Sequence, residues 1–131
     1  MGYRFFNPNP KQLIVGDCVI RAMSCLLEED WDTAYARVSL QGFKIKDMPS
    51  SNSVWSECLL ENKFEPVMTI CQFANPPCTV RSFSEDHPKG RFLLFIGGSA
   101  GGHVVTVING DYYDTWDSGD EVPAYYWKEK S

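Results

Sequence analysis

The sequence predicts an α+β domain, with helices in its first half and antiparallel strands in its second. From residue 18 to about 62 apolar residues recur at helical spacing, whereas from Phe92 onward they form runs of strand length. The dipeptide Asn109-Gly110 separates two β-rich runs, 103–108 and 111–116. Asn and Gly tolerate the positive φ of a two-residue turn, so this is a strong hairpin signal. Helical and strand signals that stay apart along the chain indicate α+β rather than alternating α/β.

Residues 1–15 read as a lead-in broken by Pro8 and Pro10. Gly16-Asp17 then opens a helix over about 18–28, with Asp17 as N-cap and Val19, Ala22, Met23 and Leu26 on one face. A second helix, about 31–41, carries Trp31, Ala34, Tyr35 and Val38. The loop Met48-Pro49-Ser50-Ser51-Asn52 leads to a third, about 53–62, with Val54, Trp55, Cys58 and Leu59. After Pro66, Val67-Met68-Thr69-Ile70 reads as a short strand and Pro76-Pro77 as a break. Phe92-Leu93-Leu94-Phe95-Ile96 has no polar alternation, which suits a central strand buried on both faces. A glycine-rich link, 97–102, precedes the hairpin, and a last strand covers about 122–128.

The chain has 131 residues, which fits one domain spanning 1–131. Its aromatic share of 14% supplies enough bulk for a core without staples. No apolar run approaches the ~18 residues of a membrane span. The start has neither the apolar stretch and cleavage site of a signal peptide nor a myristoylation pattern, so a cytoplasmic location is expected. Net charge is −5 and no Lys/Arg stripe is present, which disfavours nucleic-acid binding. The five cysteines include no CxxC pair and only two histidines accompany them, so neither a zinc site nor a disulfide framework is expected. Five free thiols are the expectation, with Cys25, Cys58, Cys71 and Cys78 structural. Gly97–Gly102 lacks the Gly-Lys-Ser/Thr ending of a phosphate loop and reads as a mobile link or a cleft edge. No cofactor or metal is expected.

Cys18 is the residue that needs explaining. At the first turn of a helix, unpaired N–H groups and the macrodipole stabilise a thiolate, the nucleophilic form. His103 opens a strand, so its ring stands at a sheet end, whereas His87 lies in the polar stretch Glu85-Asp86-His87-Pro88. With a two-residue turn at Asn109-Gly110, Ile108 faces Asp111, Val105 faces Asp114 and His103 faces Trp116. Alternation then puts Asp114 diagonally beside His103, where it can orient the ring, and turns Asp117 away. A three-residue turn would reverse that parity and select Asp117.

Gly16-Asp17-Cys18 at a helix start, then Gly102-His103-Val104-Val105, then Tyr113-Asp114-Thr115-Trp116-Asp117, resembles the papain-like cysteine peptidases. The similarity is greatest to the bacterial branch that trims double-glycine leader peptides. Val19 and Thr115 differ from the Gly and Pro usual there, which bears on substrate more than on chemistry. The resemblance implies a papain-like fold, Cys18 as nucleophile, His103 as base, Asp114 as orienting residue and Gln12, six residues before the cysteine, as oxyanion donor. It implies a peptidase or amidase acting on a peptide or protein. The alternatives are a peptidoglycan amidase or endopeptidase using the same residues, and a non-catalytic papain-like binding protein.

Overall fold

The computed structural model of the protein describes residues 2–68, 77–97 and 102–130. The chain runs β1 (Gly2–Phe5), α1 (Cys18–Leu27), α2 (Trp31–Ile45), α3 (Asn52–Glu61), β2 (Phe64–Val67), α4 (Val80–Asp86), β3 (Arg91–Ile96), β4 (His103–Ile108), β5 (Asp111–Asp114) and β6 (Tyr125–Glu129). The strands form a six-stranded sheet in the order β1-β5-β4-β3-β6-β2. Its β1–β5 pair is parallel and the other pairs are antiparallel. The mixed architecture is the α+β class that the pattern of elements predicts. Among the described residues no helix is long and apolar enough to cross a membrane.

Apolar side chains cover both faces of the sheet. Phe64, Leu93, Val104 and Trp127 pack against Met23, Leu26, Val38, Trp55 and Leu59 of α1, α2 and α3. Leu94, Ile96, Val105, Val107 and Tyr112 form a second cluster with Val80 and Phe83 of α4. Adjacent Leu93 and Leu94 enter different clusters because successive strand side chains point to opposite faces. A strand covered on both sides has no polar face to show, hence the unbroken apolar run of β3.

Helix α1 lies along β4 and runs in the same direction. The Thr106 hydroxyl donates to the Ala22 carbonyl at 3.1 Å. One helical turn earlier, the Val104 main-chain N–H donates to the Cys18 sulfur. Four helical residues advance about 6 Å and two strand residues about 6.6 Å, so the two contacts keep step. The N-terminus of α1 must therefore lie at the end of β4 where His103 stands.

The hairpin has the expected two-residue turn, with Asn109 at φ 49° and Gly110 at φ 87°. Ile108 pairs with Asp111, Val107 with Tyr112 and Thr106 with Tyr113. The turn is also fastened to the start of β3: Asn109 N–H donates to Gly90 O and Gly90 N–H to Asn109 Oδ1, each at 3.0 Å.

Several expectations need correction. The lead-in contains β1, an edge strand held by its pairing with β5. The strand expected at 67–70 is β2, three residues earlier, and residues 69 and 70 lie outside those described. Four residues extend α2 beyond its expected end, because Lys46 at φ 63° closes it instead. Helix α4 was not foreseen; Thr79 and Ser82 start it with a reciprocal capping box. Most of the glycine-rich link, 98–101, and Cys71 lie outside the described residues. Cys78 is disulfide-bonded, which overturns the expectation of five free thiols and removes thiol content as an argument for a reducing compartment.

Substituting Gly110→Val should cost about 1–3 kcal/mol by chemical denaturation, since a β-branched residue is strained at positive φ. An unchanged midpoint would mean that this turn does not hold the register.

Candidate active site

Cys18 is the first residue of α1 and is half-buried. His103 begins β4 and Asp114 ends β5. The His103 Nε2 to Asp114 Oδ2 distance is 2.7 Å, the diagonal contact that the hairpin parity requires. His103 also hydrogen-bonds the Cys18 side chain. With Nε2 committed to Asp114, Nδ1 is the nitrogen left for the sulfur. The Trp116 ring lies beside the imidazole, centroids 5.3 Å apart. Cys18, His103 and Asp114 thus form one line from helix to sheet.

Asp114 is fully buried and its carboxylate is saturated. Besides His103 it accepts Ser118 Oγ at 2.9 Å, the Thr115 N–H at 2.8 Å and Arg21 Nη2 at 3.0 Å. Arg21, also buried, turns its other arm to Asp17 Oδ1 at 2.7 Å, and Trp31 Nε1 donates to Asp17 Oδ2 at 2.9 Å. Sequence reasoning missed Arg21. Its signal was present: a charged residue in an otherwise apolar helix face, four residues after Asp17, is buried only when paired. Asp17 holds the expected N-cap position, yet its side chain makes no cap hydrogen bond. It is spent on Arg21 and Trp31.

The electrostatics separate Cys18 from the other free thiols. Burial pushes Cys25 up to about 12 and Cys58 up to about 11. Burial also pushes the Cys18 thiol up, but His103, the Val104 N–H and the Arg21 charge outweigh it and hold Cys18 below the ordinary thiol value. For His103, burial pulls down while Asp114 and Cys18 pull up, and the balance stands at about 9. Burial would raise Asp114, but the His103 contact, Ser118 and the Thr115 N–H hold it below the usual carboxylate range. A thiolate–imidazolium pair backed by a carboxylate is the state these directions favour.

The other expected residues fall elsewhere. Gln12 is exposed, has a left-handed backbone at φ 56°, and donates through Nε2 to the Asn9 carbonyl at 3.0 Å. Its amide is committed to its own loop, so the structure does not bring Gln12 into the site. Asp117 turns away, accepting the Tyr112 hydroxyl at 2.5 Å and the Gly119 N–H at 3.0 Å. His87 caps α4, with Nδ1 2.8 Å from the Phe83 carbonyl and its ring stacked on Phe83.

Cys18 and His103 line an open cleft of about 930 Å³. Its walls include Leu13, Ile14, Trp31, Trp55, Phe95 and Trp116. Of its charged lining residues, Asp17 and Arg21 are bonded to each other and His103 to Asp114. Among the described residues no group of three or more His, Cys, Asp or Glu comes together to hold a metal ion. No protein-family model, curated protein or solved structure matches the chain.

Replacing Arg21→Met leaves two buried carboxylates without their cation and should cost about 3–5 kcal/mol in urea denaturation. Arg21→Lys keeps the charge but cannot present the fork to both partners, so it should lose less. Wild-type stability in Arg21→Met would show that the network does not hold helix to sheet.

Proposed function

We propose that the protein is a cysteine hydrolase, a peptidase or amidase of papain-like architecture, acting through Cys18, His103 and Asp114. The observation that carries this reading is the continuous line of contacts from the helix-start thiol through the imidazole to a buried carboxylate, opening on a cleft. A buried structural cysteine needs none of these partners, as Cys58 illustrates.

The chemistry follows from the ion pair. The Cys18 thiolate adds to a substrate carbonyl, and the electron pair of the C=O bond moves onto oxygen. As that pair returns, the bond to the leaving amine breaks and the His103 imidazolium gives the amine its proton. Neutral His103 then takes a proton from water, whose oxygen attacks the acyl carbon. Cleavage of the carbon–sulfur bond releases the carboxylic acid and restores the thiolate with an imidazolium. Asp114 keeps the ring oriented and stabilises its positive charge throughout.

The cleft offers apolar walls and commits its charges internally. This supports a peptide or protein substrate that presents uncharged, apolar side chains rather than phosphate or other polyanions. The peptidoglycan reading shares the chemistry but has no observation of its own in favour.

Incubation with a peptide library, followed by mass spectrometry, should reveal cleavage that Cys18→Ala abolishes. Cleavage that survives in Cys18→Ala would overturn the assignment. Iodoacetamide should alkylate Cys18 well before Cys25 or Cys58 in the folded protein.

The pH profile carries a second expectation. Hydrolysis needs the thiolate and the imidazolium together, so the acid limb should lie below the ordinary thiol value and the alkaline limb near pH 9, where His103 loses its proton. Alkylation, which needs only the thiolate, should show no alkaline fall. Asp114 raises His103, so Asp114→Asn should move the alkaline limb to lower pH and reduce kcat. An unmoved limb would mean that Asp114 does not act on the ring.

A further inference from the structure

With Gln12 turned away, the site as described has only one oxyanion donor. The Cys18 main-chain N–H sits at the first position of α1, where a helix provides no acceptor. Acyl transfer gains from a second donor beside it, and the residue that fits is Asn9. Only 5% of Asn9 is exposed, and it lines the same cleft as Cys18 and His103.

Hydrogen bonds within the loop decide which end of the Asn9 amide faces the cleft. Its Oδ1 accepts the Lys11 N–H at 2.8 Å, which identifies that atom as the oxygen. The Asn9 N–H donates to Asn7 Oδ1 at 3.3 Å, and its carbonyl accepts both the Gln12 N–H at 2.9 Å and Gln12 Nε2 at 3.0 Å. Every polar group of Asn9 is thus used within the loop except Nδ2, which has no partner among the described residues. Nδ2 is not among the fully shielded polar atoms, so this unpaired donor of an otherwise buried residue keeps access to the solvent of the cleft that Asn9 lines. Gln12 still takes part in this arrangement: its side chain holds the Asn9 main chain.

We propose that Asn9, through Nδ2, is the side-chain oxyanion donor of this enzyme and acts with the Cys18 main-chain N–H. The assignment rests on the hydrolase reading, and its test can be separated from that reading.

The probe is leucyl-leucyl-leucinal, a peptide aldehyde with apolar side chains. The Cys18 thiolate adds to its carbonyl carbon, a carbon–sulfur bond replaces the C=O π bond, and the oxygen gains the charge and then the imidazolium proton. The resulting hemithioacetal places its oxygen where an oxyanion would form. Iodoacetamide serves as control, because sulfur displaces iodide there and no charge develops on the carbonyl oxygen.

Asn9→Ser keeps an oxygen for the Lys11 N–H but cannot reach the cleft with a donor. Asn9→Asp keeps the shape and Oδ1 and replaces the donor with an acceptor, so it serves if the serine variant does not fold. Aldehyde affinity should fall on the order of a hundredfold in either variant, while the alkylation rate of Asn9→Ser stays at the wild-type value. Wild-type aldehyde affinity in Asn9→Ser would overturn the Asn9 assignment and leave the hydrolase reading standing. An equal fall in aldehyde affinity and alkylation would also overturn it, since Asn9 would then act on the thiol. Failure of wild-type protein to form the hemithioacetal, with Cys18 still alkylated, would defeat the hydrolase reading and this assignment with it.

Discussion

A guanidinium taken out of water needs compensation, and that of Arg21 finds it in carboxylates from opposite ends of the chain. Asp17 lies one turn before it on the same helix, and Asp114 lies 93 residues further on, at the end of β5. Such a triad adds little net stability over an apolar equivalent, but removing any member exposes the others to an uncompensated burial. Its effect is therefore geometric. The first turn of α1 and the end of the β4–β5 hairpin must meet at one place, and that place is where Cys18 and His103 face each other. Asp17 gives up the ordinary capping role, worth about 1 kcal/mol, to take part.

The hairpin supplies the other constraint. Because strand side chains alternate, the number of turn residues decides which carboxylate lies beside His103. Asn109 and Gly110, both at positive φ, make that number two, so Asp114 reaches the ring. Asp117 is left to bond Tyr112, three residues from the site and on a different network. One inserted residue would exchange their places, and with Asp114 the Arg21 link would be lost as well.

These two constraints differ in how far the sequence disclosed them. The hairpin was legible to the residue, because turn type, register and alternation are local rules acting over a dozen positions. The class of fold, the three long helices and the central strand β3 were legible for the same reason. The Arg21 contact with Asp114 was not, since nothing local shows where a helix face meets a strand end, although the Asp17–Arg21 spacing was a hint. Gln12 was expected only from the resemblance, and its own backbone at positive φ accompanies an amide turned back on Asn9, three residues earlier. Strand β1 escaped because its pairing partner is more than a hundred residues away. Helix α4 has seven residues, too few for a periodic pattern to stand out, and only its Thr79–Ser82 cap marked it.

The protonation state of the site turns on a competition that burial alone would lose for it. Withdrawing a thiol and an imidazole from water favours the neutral form of each, which pushes the thiol up and the imidazole down. Cys25, on the same helix as Cys18, shows that outcome for a thiol, raised to about 12. Cys18 differs in having a cation and two hydrogen-bond donors directed at its sulfur, and His103 differs from an ordinary buried histidine in having an anion on each side. Each group in the line is shifted toward its charged form by its neighbour: Arg21 and His103 favour ionised Asp114, Asp114 favours protonated His103, and His103 draws Cys18 below the ordinary thiol value. The order matters, because the line begins at a permanently charged guanidinium and ends at Cys18, the least buried of the four groups. Exchange of a proton at the Cys18 end would leave the far end fixed, an asymmetry that the proposed hydrolysis would use.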